Sequence, residues 1–374
     1  MKKKVQIVLV MLFLYTSCQP GETIMESPKN TDKVQTLIDS IRVLNKVSGV
    51  QFCTIDSAGI VKQWTSGFKD NKNEELIANN SSLRIGSTTK LFTSYLIMKL
   101  VQDSLIDLED NLAKWYPDFP NAEQISIRSL LMHRRGAVEI LKFPKFLMAC
   151  VFNPSKMNDL NELIAFISNK GQKKAKKPNE IYEYSNTNYI LLGGIAEKIY
   201  QKNFGQLIDS LSNEIKLENT SYVTSKNAAT LINGYDKDLI PFPWTYTNKP
   251  NNTSWTSLAA SSGGIISNAK DLTTFFDYFV NGNGLNSNTK SLIFSFKACN
   301  HDNSAEIVGI GLGVFQIRIN GLEYWGHEGQ MIGSESLVLY CPSTKMVFCV
   351  TGNRSAFKGK YQLIAKVNES YLIE

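Results

Sequence analysis

Arg84-Ile85-Gly86-Ser87-Thr88-Thr89-Lys90-Leu91-Phe92-Thr93-Ser94-Tyr95-Leu96-Ile97-Met98 brings a serine, directly after a glycine, to the head of an apolar stretch that continues through Leu100 and Val101. Leu91, Phe92, Tyr95, Leu96 and Met98 are enough to keep a helix buried, and Gly86 permits a tight entry. In such a helix Lys90 stands one turn after Ser87 on the same face, within reach of its hydroxyl. A serine hydroxyl is a weak nucleophile until a neighbouring base takes its proton, and the first-turn N–H groups of a helix can hold an oxyanion. The bland alternative is a Ser87 that only caps the helix. Ser-x-x-Lys occurs five times, at Ser66, Ser87, Ser267, Ser287 and Ser355. The pattern alone therefore decides nothing, and the partners of Ser87 must come from elsewhere in the chain.

Upstream of this stretch, Val34, Leu37, Ile38, Ile41, Leu44 and Val47 predict an amphipathic helix, followed by strands at 49–55 and 60–66 that turn at Asp56-Ser57-Ala58-Gly59. Downstream, 106–254 reads as helical and loop-rich, with helices at 125–133, at 160–168, and from Tyr189 to Tyr200 running on toward Ile215. Strand character returns at 308–318, 322–326, 334–341 and 345–351, and a helix at about 359–371 closes the chain. The expected fold is α/β (α+β), an antiparallel sheet flanked by helices and built from both chain ends, 32–105 and 255–374. The mostly helical segment 106–254 is inserted between them, and a cleft between the two parts is the natural place for a site.

Residues 1–17 read as an export signal: Lys2, Lys3 and Lys4, an apolar run from Val5 to Leu14, then Tyr15-Thr16-Ser17 before Cys18. The run is shorter than the roughly 20 residues a bilayer span needs. A cysteine at this place resembles the lipobox of bacterial lipoproteins, with Cys18 as the lipidated residue and 18–31 as a tether, although Tyr15 stands where a small aliphatic residue is usual. The expected location is the bacterial cell envelope, periplasm-facing or on the outer membrane, held to the membrane by that lipid. The formal net charge is +6, and the three leader lysines supply +3 of it, which leaves no case for nucleic acid. Cys53, Cys150, Cys299, Cys341 and Cys349 are odd in number and sit mostly among apolar neighbours. A hairpin turning at Pro342–Lys345 would set Cys349 opposite residue 338 rather than Cys341, so thiols are expected, not disulfides.

Two further motifs follow Ser87 in order. Tyr184-Ser185-Asn186 precedes an apolar helix beginning at Tyr189, and His327-Glu328-Gly329 is the only Lys/His-x-Gly in the chain. A second Tyr-x-Asn, Tyr246–Asn248, lies in a proline- and aromatic-rich loop. No Cys-x-x-Cys exists and His327-Glu328 lacks a second histidine at metal-binding spacing, so no metal is expected. Gly-x-Ser-x-Gly is absent too, which argues against an α/β-hydrolase.

With these motifs in this order the sequence resembles the serine β-lactamase and DD-peptidase superfamily, in the branch of class C β-lactamases, D-alanyl-D-alanine carboxypeptidases and family VIII esterases. Ile127–Gly136 is similar to that family's Leu-Leu-Thr-His-Thr-Ser-Gly segment, and Ala260–Leu272 to its Gly-Gly-x-x-Ser segment, which accounts for the Ser267 copy. The resemblance implies a β-lactamase/transpeptidase-like fold and an acyl-enzyme at Ser87, with no cofactor. Tyr184 and Lys90 would share the base role. Asn186 would hold the substrate amide or steady Lys90, and His327 would line the opposite wall. Glu328 and Gly329 would lie against substrate, and the backbone N–H groups of Ser87 and Gln330 would form the oxyanion hole. His133 falls in a supporting loop, and His301 has no supporting context.

The pattern departs at Glu328, where a threonine or serine commonly helps bind a substrate carboxylate. An ionised Glu328 in the cleft would repel that group and favour neutral or amine-bearing substrates. Arg134, Arg135 and Arg354 are candidate compensating cations, and Asn179 replaces a common glycine. Phe242, Trp244, Tyr246 and Trp255 either wall the pocket or pack on the surface, and the Lys173–Lys177 cluster reads as a solvated loop. The expected function is a cell-envelope serine hydrolase, first a D-alanyl-D-alanine carboxypeptidase-like peptidase, with family VIII-type esterase and class C-like β-lactamase as alternatives. Its substrate would be a D-amino-acid peptide, an ester or a β-lactam. A non-catalytic penicillin- or peptidoglycan-binding lipoprotein is the rival from another class.

Overall fold

Strand β1 (Gly49–Ile55) is buried along its whole length, as its run of Val50, Phe52, Cys53 and Ile55 demands. It pairs antiparallel with β2 (Val61–Asp70) on one side and with the last strand, β12 (Met346–Gly352), on the other, so the two chain ends are joined in one sheet. The computed structural model describes residues 32–372 except 135, 145–147, 149, 151, 172–177, 179–180, 229, 236–252 and 302–303. The signal sequence, Cys18, Arg135, Asn179, the lysine cluster, Tyr246–Asn248, Phe242 and Trp244 all lie outside the described residues.

Among the described residues the main sheet has nine strands in the order β3-β2-β1-β12-β11-β10-β9-β8-β7. The remaining members are β3 (Glu75–Leu76), β7 (Lys297–Ala298), β8 (Ile307–Ile310), β9 (Phe315–Ile319), β10 (Leu322–Met331) and β11 (Ser334–Cys341). The antiparallel pairing of β11 with β12 sets Cys349 opposite Val338, as the hairpin arithmetic requires. Its neighbour across β1 is Cys53. Cys53, Cys150, Cys299, Cys341 and Cys349 are all free, and only Cys299 is partly exposed. A second, three-stranded sheet joins β4 (Leu83–Arg84), β6 (Ile265–Ser267) and β5 (Ser221–Tyr222). It ties the segment before Ser87 to two distant parts of the chain.

Helix Ala269–Val280 packs on β1, β11 and β12, and its start is fixed by Asn268, whose side chain accepts from the Asp271 N–H at 2.8 Å. Helix Thr89–Gln102 is buried on every side for its first ten residues. Phe92 stacks on Phe275 at 3.6 Å between ring centroids, which locks this helix to Ala269–Val280. The predicted run from Tyr189 to Ile215 is two helices, Asn186–Tyr200 and Phe204–Ile215. Gln201 turns left-handed at φ 53° and a reciprocal Asn203–Gln206 capping box restarts the chain. From Lys33 onward the described residues form one compact unit.

Candidate active site

Ser87 does not cap the buried helix. It sits in a one-turn 3-10 segment, Gly86–Thr88, ahead of Thr89–Gln102, and neither start carries a side-chain cap. Its Oγ instead receives Lys90 Nζ at 3.0 Å. Three of the other Ser-x-x-Lys serines are committed to structural bonds: Ser66 donates to Asp39, Ser355 to the Met331 carbonyl, and Ser267 pairs with Thr220.

Two glycines bring this turn against strand β10. A Cβ on Gly86, which has φ +53°, would fall 2.6 Å from the Gln330 carbonyl oxygen, and a Cβ on Gly329 would fall 1.9 Å from that of Ile85. The glycine of the third motif is thus there because backbone meets backbone. That contact sets the Gln330 strand segment beside Ser87.

Lys90 is fully buried and donates to Asn186 Oδ1 at 2.8 Å and to the Ser262 carbonyl at 2.9 Å besides Ser87. Its ammonium also lies 4.8 Å from the centre of the Tyr184 ring. Burial brings its pKa down from 10.5 to about 7, with the charge of Glu139 holding it up in part. Tyr184 moves the other way: burial pushes it well above the ordinary tyrosine value, although its hydrogen bond with Ser87 opposes this. The environments separate two groups whose reference values nearly coincide, leaving an amine that can lose its proton near neutrality and a phenol that keeps its own.

His327 lies on β10 with its ring 4.5 Å from that of Phe315 and 6.5 Å from that of Tyr184. Its Nδ1 is 2.5 Å from the Glu328 carbonyl oxygen, so the proton sits on Nδ1 and Nε2 is left as an acceptor. Burial and the neighbouring Lys90 hold the imidazole neutral. His133 supports the site: its ring lies tilted against that of Tyr184 with the centres 4.3 Å apart, and it accepts from the Ser185 N–H at 3.2 Å.

Glu328 does not stand as an isolated charge. Lys360 pairs with it at 2.9 Å, Tyr361 donates to it at 2.9 Å, and Lys360 is shared with Glu335. The compensating cation among the described residues is therefore Lys360, and Arg135 lies outside them. Arg354 turns away to the Asn45 and Lys46 carbonyls, and neither it nor Arg134 lines the cavity. The expected repulsion of carboxylates by Glu328 is correspondingly reduced.

Two cavities meet at Ser87, Leu141, Asn186 and Gln330. A polar lobe of about 690 Å³ is lined by Tyr184, His301, His327, Glu328, Lys360 and Tyr361 among others. An apolar lobe of about 240 Å³ is lined by Ile140, Trp255, Leu258, Met331 and Ile332, so Trp255 is a wall residue. Sequence reasoning missed Glu139, His301, Lys360 and the Ser262 carbonyl. Glu139 lies 47 residues from the Asn186 it contacts, His301 stands outside any motif, and a backbone carbonyl leaves no side-chain signal.

The family model described as Beta-lactamase matches residues 35–369. Protein flp of Staphylococcus aureus (strain MRSA252) is 25% identical over 201 residues, 52% of this chain and 39% of its own length, so the match spans about two fifths of that relative. Among solved structures, the D-amino acid amidase from Ochrobactrum anthropi SV3, complexed with L-phenylalanine amide, superposes with a TM-score of 0.79 at 24% identity, covering 90% of this chain and 97% of the amidase. A penicillin binding protein from Bacillus halodurans superposes at 0.72 with 20% identity, over 88% and 98% of the two chains. These structures share the fold, a large antiparallel sheet flanked by helices. With the family model covering most of its length, the chain belongs to the Beta-lactamase family.

Proposed function

We propose that the protein is a serine hydrolase that opens amide or ester bonds through an acyl-enzyme at Ser87. The observation that carries this reading is the buried Lys90 amine 3.0 Å from Ser87 Oγ, with its pKa brought to about 7. In its neutral form Lys90 takes the Ser87 proton as Oγ attacks the carbonyl carbon. The N–H groups of Ser87 and Gln330 hold the oxyanion. Tyr184, protonated at neutral pH, gives its proton to the leaving group and recovers one from the Lys90 ammonium. Water then attacks the acyl carbon by the reverse proton path and frees Ser87.

Because Tyr184 and His327 line only the polar lobe, the leaving group departs there and the acyl side chain occupies the apolar lobe beside Trp255. A volume of about 240 Å³ holds one ring, given that a cavity of about 150 Å³ accepts benzene. The polar lobe is lined by Glu139, Glu306, Glu328 and Glu335 against Lys358 and Lys360. That excess of carboxylates favours a neutral or amine-bearing leaving group, as in an amide or ester of a D-amino acid. The D-amino acid amidase among the similar structures supports D-amino-acid chemistry. The second reading is a D-alanyl-D-alanine carboxypeptidase-like peptidase, and Lys358, exposed on the lining of the polar lobe, is the observation in its favour. Export and lipid anchoring at Cys18 belong to the same proposal and rest on the leader residues alone.

The test is intact mass and product release with a penicillin, an activated ester, a D-amino-acid amide and a D-alanyl-D-alanine peptide, on the wild type and Ser87→Ala. Turnover of amide or ester that vanishes in Ser87→Ala supports the reading. Release of D-alanine lost in Lys358→Ala favours the carboxypeptidase. Neither adduct nor Ser87-dependent turnover with any reagent would leave a binding protein.

A further inference from the structure

Glu139 has no place in the sequence motifs, yet its carboxylate meets the site at three points. It accepts from the backbone N–H of Asn186 at 2.6 Å, from the Asn186 side-chain amide at 3.2 Å and from the Leu141 N–H at 3.2 Å. Asn186 is the first residue of the helix Asn186–Tyr200, whose own N-cap, Ser185, makes no side-chain cap. Glu139 therefore does the capping from another part of the chain, with its negative charge at the positive end of a 15-residue helix. The helix answers in kind, since Thr187 Oγ1 accepts from the Ile140 N–H at 2.9 Å.

The two ends of the Asn186 amide are chemically distinct. A carboxylate can only accept, so the NH₂ must face Glu139, and the oxygen is left to face Lys90 at 2.8 Å. The geometry points to Glu139 as the positioning residue of the site, fixing the Asn186 amide so that its oxygen holds the Lys90 amine and setting a negative charge within range of that amine. This rests on the acyl-enzyme reading for its catalytic consequence but not for its geometry. The groups that face Lys90 from the surrounding elements are Ser87, Asn186 and the Ser262 carbonyl by hydrogen bond, the rings of Tyr184 and Tyr189, the carboxylate of Glu139 and the imidazoles of His133 and His327, both held neutral by burial and by Lys90. Glu139 is the carboxylate among them. Its partial support of the lysine charge agrees with the geometry.

The experiment is the titration of Lys90 in protein labelled with ε-¹³C lysine, its resonance assigned by loss in Lys90→Met, for wild type, Glu139→Gln and Glu139→Asp. An opposite charge at about 4–6 Å moves a pKa by roughly 1–3 units, and with one amide between the groups about one unit is expected. In Glu139→Gln the midpoint should fall by about one unit, and the acid limb of ester turnover should move to lower pH with it. Glu139→Asp keeps the charge and withdraws the oxygens. Its midpoint should stay within about half a unit of wild type while turnover drops as the Asn186 amide is released, and it carries the test if circular dichroism shows the glutamine variant unfolded. An unmoved midpoint in folded Glu139→Gln, with turnover reduced evenly at all pH, would make Glu139 a helix cap only and overturn the inference. Absence of Ser87-dependent turnover in the wild type would sink the proposed function and leave the titration as the measure of Glu139.

Discussion

A lysine whose pKa lies at about 7 makes activity and stability both rise with pH, over different ranges. If neutral Lys90 is the base, about a tenth of the enzyme is competent one unit below that value and about nine tenths one unit above, so kcat/KM should rise roughly ten-fold between pH 6 and pH 8. Replacing the amine by Met should cost about 10²–10⁴-fold. The same burial opposes folding. The drop from 10.5 to about 7 corresponds, at about 1.36 kcal/mol per unit, to a penalty on the order of 5 kcal/mol. Below the folded value both states are protonated and the penalty is complete. Between about 7 and 10.5 only the unfolded chain binds the proton, so stability gains up to about 1.4 kcal/mol per pH unit. Lys90→Met lacks this dependence, although it also strands the Asn186 oxygen and the Ser262 carbonyl that Lys90 satisfies at about 1–3 kcal/mol each. Relative to the variant, the wild type should therefore gain about 1 kcal/mol per pH unit between pH 7.5 and 9.5 in urea unfolding. Parallel stability curves, or an acid limb of kcat/KM near pH 10, would refute the placement of Lys90 as a depressed, catalytic amine.

Gly329→Ala should reduce kcat/KM by about 10²-fold, because a Cβ 1.9 Å from the Ile85 oxygen and 2.8 Å from the Thr88 nitrogen forces β10 off the nucleophile turn, and a displacement near 1 Å carries that cost; stopped-flow acylation by an activated ester reads it, and unchanged acylation would mean the strand relaxes freely. Lys360→Met removes the cation between Glu328 and Glu335, whose side chains are 20% and 5% exposed, and should destabilise by about 3–5 kcal/mol in urea at pH 8. The loss should shrink at pH 5, where a stranded carboxylate can take a proton, and a loss under about 1 kcal/mol at pH 8 would show that water reaches both acids.

How far the sequence discloses this molecule depends on whether a signal is local. Strands at 49–55 and 334–341 have the predicted bounds because each carries strand-forming residues, Val50, Phe52 and Ile55 in one and Leu337 to Cys341 in the other, closed by turn residues. The run 308–318 is instead two strands, β8 and β9, since Gly313 takes φ +87° between them. β10 continues five residues past its predicted end, through Gly326, His327 and Gly329. Two glycines remove β propensity in the very segment that must lie flat against Ser87. The short strands of the second sheet leave no periodicity at all.

The site divides along the same line. Ser87, Lys90, Tyr184, Asn186, His327 and Gln330 fall in local motifs, and the structure brings them together. The properties that give those residues distinct tasks come from groups far away in the chain: the closed surroundings that separate Lys90 from Tyr184, Glu139 behind Asn186, and Lys360 beside Glu328. A motif records which side chains are present. The protonation state in which Lys90 works is set by burial and by the charge of Glu139, distant in sequence, and three-dimensional packing alone brings the two together.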